Sequence, residues 1–125
     1  MSEKRKNKGA LWRKFGYAFR GLSTSLKEET SLVIHFIVAI IVIVLGIVLK
    51  INTTEWAIII LVIGIIIGTE LLNTAIENVV DMVSFKYNFN AKKIKDISAA
   101  ATLVLTLSAV IVGLLIFIPH IIALV

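Results

Sequence analysis

The sequence lacks cysteine, has a single proline and is poor in charged residues. Without cysteine, the chain can form no disulfide bond, thiolate metal site or cysteine nucleophile. It also contains no G-x-x-x-x-G-K-[ST] and no G-x-G-x-x-G loop, so any bound nucleotide has to be held by side chains on helices. Charged residues make up 17% of the 125 residues, whereas a soluble domain has about a quarter. The composition therefore argues against an ordinary soluble domain.

Long apolar runs take the place of the missing charges. Apolar residues make up 58% of the chain, and the mean hydropathy is +0.98. About 20 apolar residues in a helix cross a bilayer, and the runs predict transmembrane helices at residues 29–50, 54–84 and 95–125. The first run starts near Ser31, after a basic and only mildly apolar stretch, which is not the pattern of a signal peptide. We expect one membrane domain spanning residues 1–125.

The residues before the first run form a different pattern. Residues 1–8 are polar and are predicted to be a tail, whereas residues 9–28 are amphipathic. Apolar side chains recur there at spacings of one, three and four, with basic residues between them. This pattern predicts a helix lying in the membrane interface, and the alternative is an amphipathic helix packed on a partner. The predicted fold class is an all-α membrane protein with an N-terminal amphipathic interfacial helix and three transmembrane helices.

The basic residues are unevenly distributed between the two sides of the predicted membrane. Eight Lys and Arg residues precede Ser31, one lies in the first connection and four lie around the second. The positive-inside rule then places the N-terminus and the second connection in the cytoplasm, and the first connection and the C-terminus outside. The net charge of +5 lies beside apolar runs, so anionic lipid head groups are the expected partner instead of nucleic acid.

The second apolar run continues into a stretch that carries four polar residues, Glu70, Asn73, Glu77 and Asp81. At about 100° per residue all four fall on one face of a helix, called here the polar stripe. An acid within a membrane span is costly unless it meets a partner, a cavity or a cation. Carboxylate and amide oxygens suit a hard divalent cation, and Mg²⁺ is usually shared with substrate phosphates. The stripe is therefore a candidate site for a metal and a phosphate ligand.

The spacing alone leaves two further roles open for the polar stripe. It could be an ion path in a small transporter, or the solvated cytoplasmic end of a long helix. Solvation accounts well for Asp81 and adequately for Glu77. It accounts poorly for Glu70, which follows a dozen mostly apolar residues.

Additional polar residues lie close to the ends of the predicted spans. Lys95 and Asp96 start the third span, where a lysine commonly reaches toward the interface and an aspartate commonly caps a helix. Beside an acidic metal site, Lys95 becomes a candidate phosphate ligand with Asp96 as its orienting partner. Glu29 lies just before the first apolar run and is also suited to capping. His35 lies within that span, where a single histidine is more often a packed, hydrogen-bonded residue than a ligand.

These polar positions resemble the signature of the small prokaryotic diacylglycerol kinase family, which includes undecaprenol kinases. The resemblance covers nearly the whole chain. It rests on three strings: Tyr17-x-x-Arg20-Gly21-Leu22, Glu70-x-x-Asn73-Thr74-Ala75-Ile76-Glu77-x-x-x-Asp81 and Ala91-Lys92-x-x-Lys95-Asp96-x-x-Ala99-Ala100-Ala101.

The resemblance implies a homotrimer of three-span subunits with active sites at the cytoplasmic face, shared between neighbouring subunits. It implies transfer of the γ-phosphate of ATP to a lipid hydroxyl with Mg²⁺ as cofactor. By position, Glu70 corresponds to the catalytic base, and Glu29 and Glu77 correspond to metal ligands. The implied nucleotide site comprises Tyr17, Glu29, Asn73, Glu77, Asp81, Lys95 and Asp96.

The sequence departs from the enterobacterial form of the family at one place. That form carries a second acid about six residues after the glutamate of the first span, and here the position is His35. The Ile- and Lys-rich sequence is more similar to the Gram-positive branch, whose members favour undecaprenol. The resemblance thus implies a bacterial plasma-membrane enzyme acting on undecaprenol, with diacylglycerol as the other candidate substrate.

Overall fold

A computed structural model describes residues 3–84 and 88–125 of the chain, with side chains from residue 9 onward. The regular secondary structure in these ranges is entirely α-helical. The helices are α1 (Glu3–Glu28), α2 (Thr30–Leu49), α3 (Thr53–Val83) and α4 (Phe89–Leu124). The last three are long and apolar enough to cross a membrane. The all-helical class and the three candidate spans are therefore confirmed, whereas the interfacial position of α1 stays a prediction.

Two helices begin earlier than the sequence pattern predicts. Helix α1 starts at Glu3, so residues 3–8 of the predicted tail are helical, and residues 1–2 lie outside the described residues. Helix α4 starts at Phe89 instead of residue 95, after Asn88, whose side chain accepts a 2.8 Å hydrogen bond from the backbone N–H of Asn90. Both added segments contain lysine, which is a good helix former. Because the helices were predicted from the pattern of apolar residues, segments rich in lysine were left out of them. Helix α4 also continues past Pro119 to Leu124.

Helices α2 and α3 are joined by a tight three-residue corner, residues 50–52. Lys50 adopts the left-handed conformation with φ 54°, and the N–H of Ile51 donates to the carbonyl of Gly46 at 3.2 Å. This is the pattern that closes a helix C-terminus. The side chain of Asn52 then accepts from the N–H of Glu55 at 2.9 Å, and Glu55 accepts in return from the N–H of Asn52 at 3.1 Å. The two helices therefore run antiparallel.

The buried apolar core lies next to this corner. Its four buried members come from the corner, α3 and α4: Ile51, Ile59, Ile116 and Phe117. Trp56 packs against them from the first turns of α3. Nearby, Nε2 of His120 lies 2.9 Å and 3.2 Å from the two carboxylate oxygens of Glu55, which ties the start of α3 to the end of α4. This end of the bundle is closed by both apolar and polar contacts.

Most apolar side chains of the three long helices face outward. Only 17%, 17% and 11% of the most apolar windows of α2, α3 and α4 are buried within the chain. A surface this apolar suits hydrocarbon or another membrane helix much better than water. The three long helices therefore bury little apolar surface against one another.

Candidate active site

Glu70 occupies the deepest position of the polar stripe. It is 7% exposed, although it carries a carboxylate. Its partners come from α2, where the hydroxyl of Ser31 donates to Oε2 at 3.4 Å and Nε2 of His35 lies 3.1 Å from Oε1. A buried carboxylate is costly unless it is hydrogen-bonded. The first two turns of α2 supply these contacts.

Asn73 and Glu77, further along the stripe, are linked to α4. The buried hydroxyl of Ser98 donates to Oδ1 of Asn73 at 2.6 Å, and Nδ2 of Asn73 donates to Oε1 of Glu77 at 3.3 Å. Because the serine hydroxyl occupies the amide oxygen, the amide nitrogen turns toward Glu77. The chain of two hydrogen bonds therefore orients one carboxylate oxygen of Glu77.

Two ion pairs involve charged residues near the start of α4. Nζ of Lys95 lies 2.5 Å from Oδ1 of Asp81, and Nζ of Lys92 lies 2.7 Å from Oδ2 of Asp96. The expectation that Asp96 orients Lys95 is therefore wrong in this structure. Adjacent residues on a helix point in different directions, whereas residues four apart lie on one face. Lys95 instead bridges α4 to the stripe on α3.

The stripe as a whole passes from a buried end to an exposed one. Glu70 is enclosed by α2, Glu77 is half-buried and Asp81 is exposed. Glu70 is buried within a single chain, because Ser31 and His35 provide polar partners there.

The two remaining predicted site residues lie apart from the stripe's hydrogen bonds. Glu29 holds the N-cap position of α2, but its side chain makes no capping hydrogen bond. Tyr17 on α1 is 59% exposed, and its ring faces the guanidinium of Arg20 with 5.6 Å between the guanidinium carbon and the ring centroid. Within the described part of the chain, no hydrogen bond joins Tyr17 or Glu29 to the stripe. Both side chains are therefore available to a ligand or a second subunit.

The acidic residues fit a magnesium ion only if a ligand helps to hold it. In residues 9–84 and 88–125, no three His, Asp or Glu side chains lie close enough together to enclose a metal ion. Mg²⁺ rarely needs such a cage, since one or two carboxylates together with substrate phosphates and water usually hold it. Glu29 and Glu77 are half-buried carboxylates of the kind that this second arrangement uses.

Sequence reasoning misses several of the contacts that build the site. It identifies Ser31 only as the start of an apolar run, does not single out Ser98, and assigns His35 no partner. A signal is present, because Ser31 and His35 are four residues apart and Lys95 and Ser98 are three apart. Such spacings place each pair on one helix face, which marks the faces of α2 and α4 that meet the stripe.

Known proteins are similar to this chain over the range that holds the candidate site. Residues 16–117 match the family described as prokaryotic diacylglycerol kinase. The undecaprenol kinase of Bacillus subtilis is 38% identical over 109 residues, which cover 87% of this chain and 89% of that protein. The diacylglycerol kinase of Synechocystis sp. is 34% identical over 111 residues, covering 88% of this chain and 63% of that protein. The diacylglycerol kinase of Helicobacter pylori is 33% identical over 94 residues, covering 75% and 73%. The matched range contains every residue of the polar stripe and its partners on α2 and α4, and the chain belongs to the prokaryotic diacylglycerol kinase family.

Proposed function

We propose that this protein is a membrane lipid kinase that transfers the γ-phosphate of ATP to a lipid hydroxyl. The observation that carries the proposal is the buried carboxylate of Glu70, held at the inner end of a polar stripe on a helix long enough to span a membrane. Membership of a family named for diacylglycerol kinase supports the reaction class. The stripe connects this carboxylate to an exposed set of charged groups suited to a nucleotide.

Undecaprenol is the proposed substrate, with diacylglycerol as the second candidate. The undecaprenol kinase of Bacillus subtilis is 38% identical to this chain, compared with 34% and 33% for the two diacylglycerol kinases. The presence of His35 where the enterobacterial form carries an acid weakens any carry-over of that form's lipid preference. Both lipids present a hydroxyl attached to long hydrocarbon, so the chemistry at Glu70 is common to them.

In the proposed mechanism, Glu70 acts as the general base. It takes the proton of the lipid hydroxyl while the hydroxyl oxygen bonds to the γ-phosphorus and the bond to the β-phosphate oxygen breaks, so that ADP leaves. Phosphoryl transfer depends mainly on positioning and charge stabilisation. Glu70 meets the positioning requirement because its carboxylate is held by partners on α2, chiefly by His35 at 3.1 Å from Oε1. The lipid's hydrocarbon can remain among the apolar faces of the helices.

The exposed end of the stripe is the proposed nucleotide site. Lys95 offers a positive charge to the phosphates. Its pair with Asp81 is exposed, so the ion pair is weak and a phosphate can share or replace it. Asn73 and Asp96 supply further polar groups, and Tyr17 is the proposed contact on the side of the nucleotide.

Glu77 and Glu29 are the proposed ligands of Mg²⁺. Asn73 orients Glu77 from within the chain, whereas Glu29 lies at the start of α2 with its carboxylate uncommitted to capping. The bound ion would neutralise charge on the phosphates. These two residues would hold it together with ATP.

The proposed location is the bacterial plasma membrane, with the N-terminus and the active site in the cytoplasm and the C-terminus outside. The excess of lysine and arginine before α2 and around the α3–α4 connection supports this orientation. Helix α1 is proposed to lie in the interface, and its exposed Trp12 and Phe19, at 75% and 70%, support that position.

We also propose a homotrimer whose sites are shared between subunits. Tyr17 and Glu29 make no hydrogen bond to the stripe within the described part of one chain, which fits a site completed by a neighbouring subunit. The apolar outer faces of α2–α4 are suited to contact another copy.

An ion or proton transporter is not favoured. A path for ions needs polar groups or water along its length. The cavity of about 410 Å³ that continues from His35 between α2, α3 and α4 is lined almost wholly by apolar side chains, with Thr106 as the other polar one. The polar stripe therefore leads to the exposed end of the bundle and not across it.

The proposal is tested with purified protein, ATP labelled at the γ-phosphate, and undecaprenol or diacylglycerol in lipid vesicles. We expect both lipids to be phosphorylated, with the higher kcat/KM for undecaprenol. Glu70→Gln should abolish turnover while leaving ATP binding intact, and Glu77→Gln should raise the Mg²⁺ concentration needed for half-maximal rate. Near-normal turnover in Glu70→Gln would refute the assignment of the base, and wild-type protein that labels neither lipid would refute the function.

A further inference from the structure

The contact between His35 and Glu70 joins α2 to α3 at the inner end of the stripe. Nε2 of His35 lies 3.1 Å from Oε1 of Glu70, and the two side chains are 20% and 9% exposed. The second polar contact of Glu70, from Ser31 to Oε2, is 3.4 Å long and correspondingly weaker. His35 is therefore the principal polar partner of the carboxylate.

The direction of this hydrogen bond follows from the chemistry of the two groups. In the proposed mechanism Glu70 acts as a base, and a carboxylate that acts as a base can only accept hydrogen bonds; Nε2–H of His35 is then the donor of the hydrogen bond to Oε1. Oε1 is then committed to the imidazole. Oε2, which has only the long contact with Ser31, remains the oxygen that can receive the proton of a substrate hydroxyl.

The surroundings strengthen the orienting effect of the imidazole. The other side of His35 borders the apolar cavity between α2, α3 and α4, together with Val38, Ala39, Ile66 and Ile67. Little water competes for the hydrogen bond in such surroundings, and a hydrogen bond is stronger where the local dielectric constant is low. A carboxylate that lost this partner would have weaker constraints on its rotation.

We propose that His35 is a positioning residue that fixes the carboxylate of Glu70 so that Oε2 faces the lipid hydroxyl. This inference rests on the lipid kinase function proposed above. His35 touches neither the phosphate nor the hydroxyl in this role, and it acts only through Glu70.

The alternative is that His35 merely fills space in the bundle. The two roles predict different responses to His35→Gln and His35→Leu. Glutamine retains an N–H donor close to the position of Nε2, whereas leucine has a similar bulk and no donor. A packing role would make both variants lose stability to similar degrees. A positioning role would make kcat fall in His35→Leu, which lacks the N–H donor, and recover in His35→Gln, which retains it.

The experiment measures kcat and KM for ATP in both variants with the lipid that wild-type protein phosphorylates faster. We expect His35→Leu to lower kcat about 100-fold, the size of effect that a misplaced reacting group causes, with KM for ATP unchanged. His35→Gln should recover kcat to within about tenfold of wild type. His120→Leu is the matched control, since it removes the other histidine that bonds to a glutamate of α3, and it should leave kcat unchanged.

Equal kcat in His35→Leu, His35→Gln and wild type would overturn the positioning role, and so would equal losses in the two variants. Wild-type protein without lipid kinase activity would overturn the proposed function, and the inference with it.

A measurement that needs no activity is the ¹⁵N NMR spectrum of the histidine rings. We expect Nε2 of His35 to be protonated and its signal to move in Glu70→Leu, whereas that of His120 stays in place. An unmoved His35 signal would also overturn the inference.

Discussion

Replacing Gly46 by alanine inserts one methyl group into the closed end of the bundle. A Cβ at this position would lie 2.9 Å and 3.1 Å from two ring carbons of Trp56 and 3.0 Å from Cδ1 of Ile51. Favourable carbon–carbon contacts lie at about 3.5–4.0 Å, so the indole or the isoleucine has to move. Ile51 is buried, and Trp56 packs against the same core cluster.

The expected cost can be separated into two opposing parts. Overpacking a filled site costs about 1–3 kcal/mol, whereas alanine is favoured over glycine within a helix by about 1 kcal/mol. Gly113 provides the control, because a Cβ there meets nothing within 4 Å. Gly113→Ala should show the helix preference alone. The difference between the two variants then isolates the clash, which we expect to be about 1–3 kcal/mol.

The measurement is the free energy of unfolding in detergent micelles, obtained by titrating a denaturing detergent and following helicity by circular dichroism. Adding Trp56→Phe to the Gly46→Ala variant should shrink the penalty, because the smaller ring vacates the position of the clashing carbons. If Gly46→Ala and Gly113→Ala change the free energy of unfolding equally, the packing of Trp56 on Gly46 is not a constraint on the bundle.

Three further predictions concern orientation, assembly and backbone strain. Because the chain has no other thiol, a cysteine at Asn52 should react with an impermeant thiol reagent on intact cells and one at Asn88 should not; the reverse pattern would invert the proposed orientation. Co-assembled Glu70→Gln and Glu29→Gln chains should regain activity through intact composite sites, whereas mixed oligomers that stay inactive would show that each subunit carries its own site. Lys50→Gly should raise the free energy of unfolding by about 1 kcal/mol relative to Lys50→Ala, since the left-handed conformation is costly for residues with a Cβ; equal stability of the two would contradict this.

The spans themselves could be predicted from the sequence because apolar run length directly reflects bilayer thickness. The predicted ranges 29–50 and 54–84 differ from α2 and α3 by one residue at each end. The predicted third span begins six residues after the start of α4. The lysines between Phe89 and Asp96 make this segment polar, so the apolar pattern does not show that the helix already includes it. Asn88 offers a capping signal there, but a capping residue only marks a helix when the residues after it are recognised as helical.

The polar stripe was predictable, whereas its partners were not. Helix geometry alone places Glu70 and Glu77 on one face. Which helix covers that face depends on how the three spans pack, and sequence spacing within one helix carries no information on that. The pairs His35 with Glu70 and Ser98 with Asn73 therefore emerged only from the structure.

The three-residue corner at residues 50–52 has a consequence for how the protein can fail. Three extended residues span at most about 11 Å, far less than the roughly 30 Å of a bilayer core. The start of α2 and the end of α3 must therefore lie on the same side of the membrane. Glu29 and Asp81 are then on that side together, whichever way the hairpin inserts. A chain inserted upside down would keep the proposed site residues together on one side of the membrane, but that side would face away from the ATP. Such a chain would be well folded but inactive. Measurements of protein abundance and thermal stability would therefore overestimate the fraction of active protein. Only a label that reacts on one side of the membrane would reveal the inverted chains.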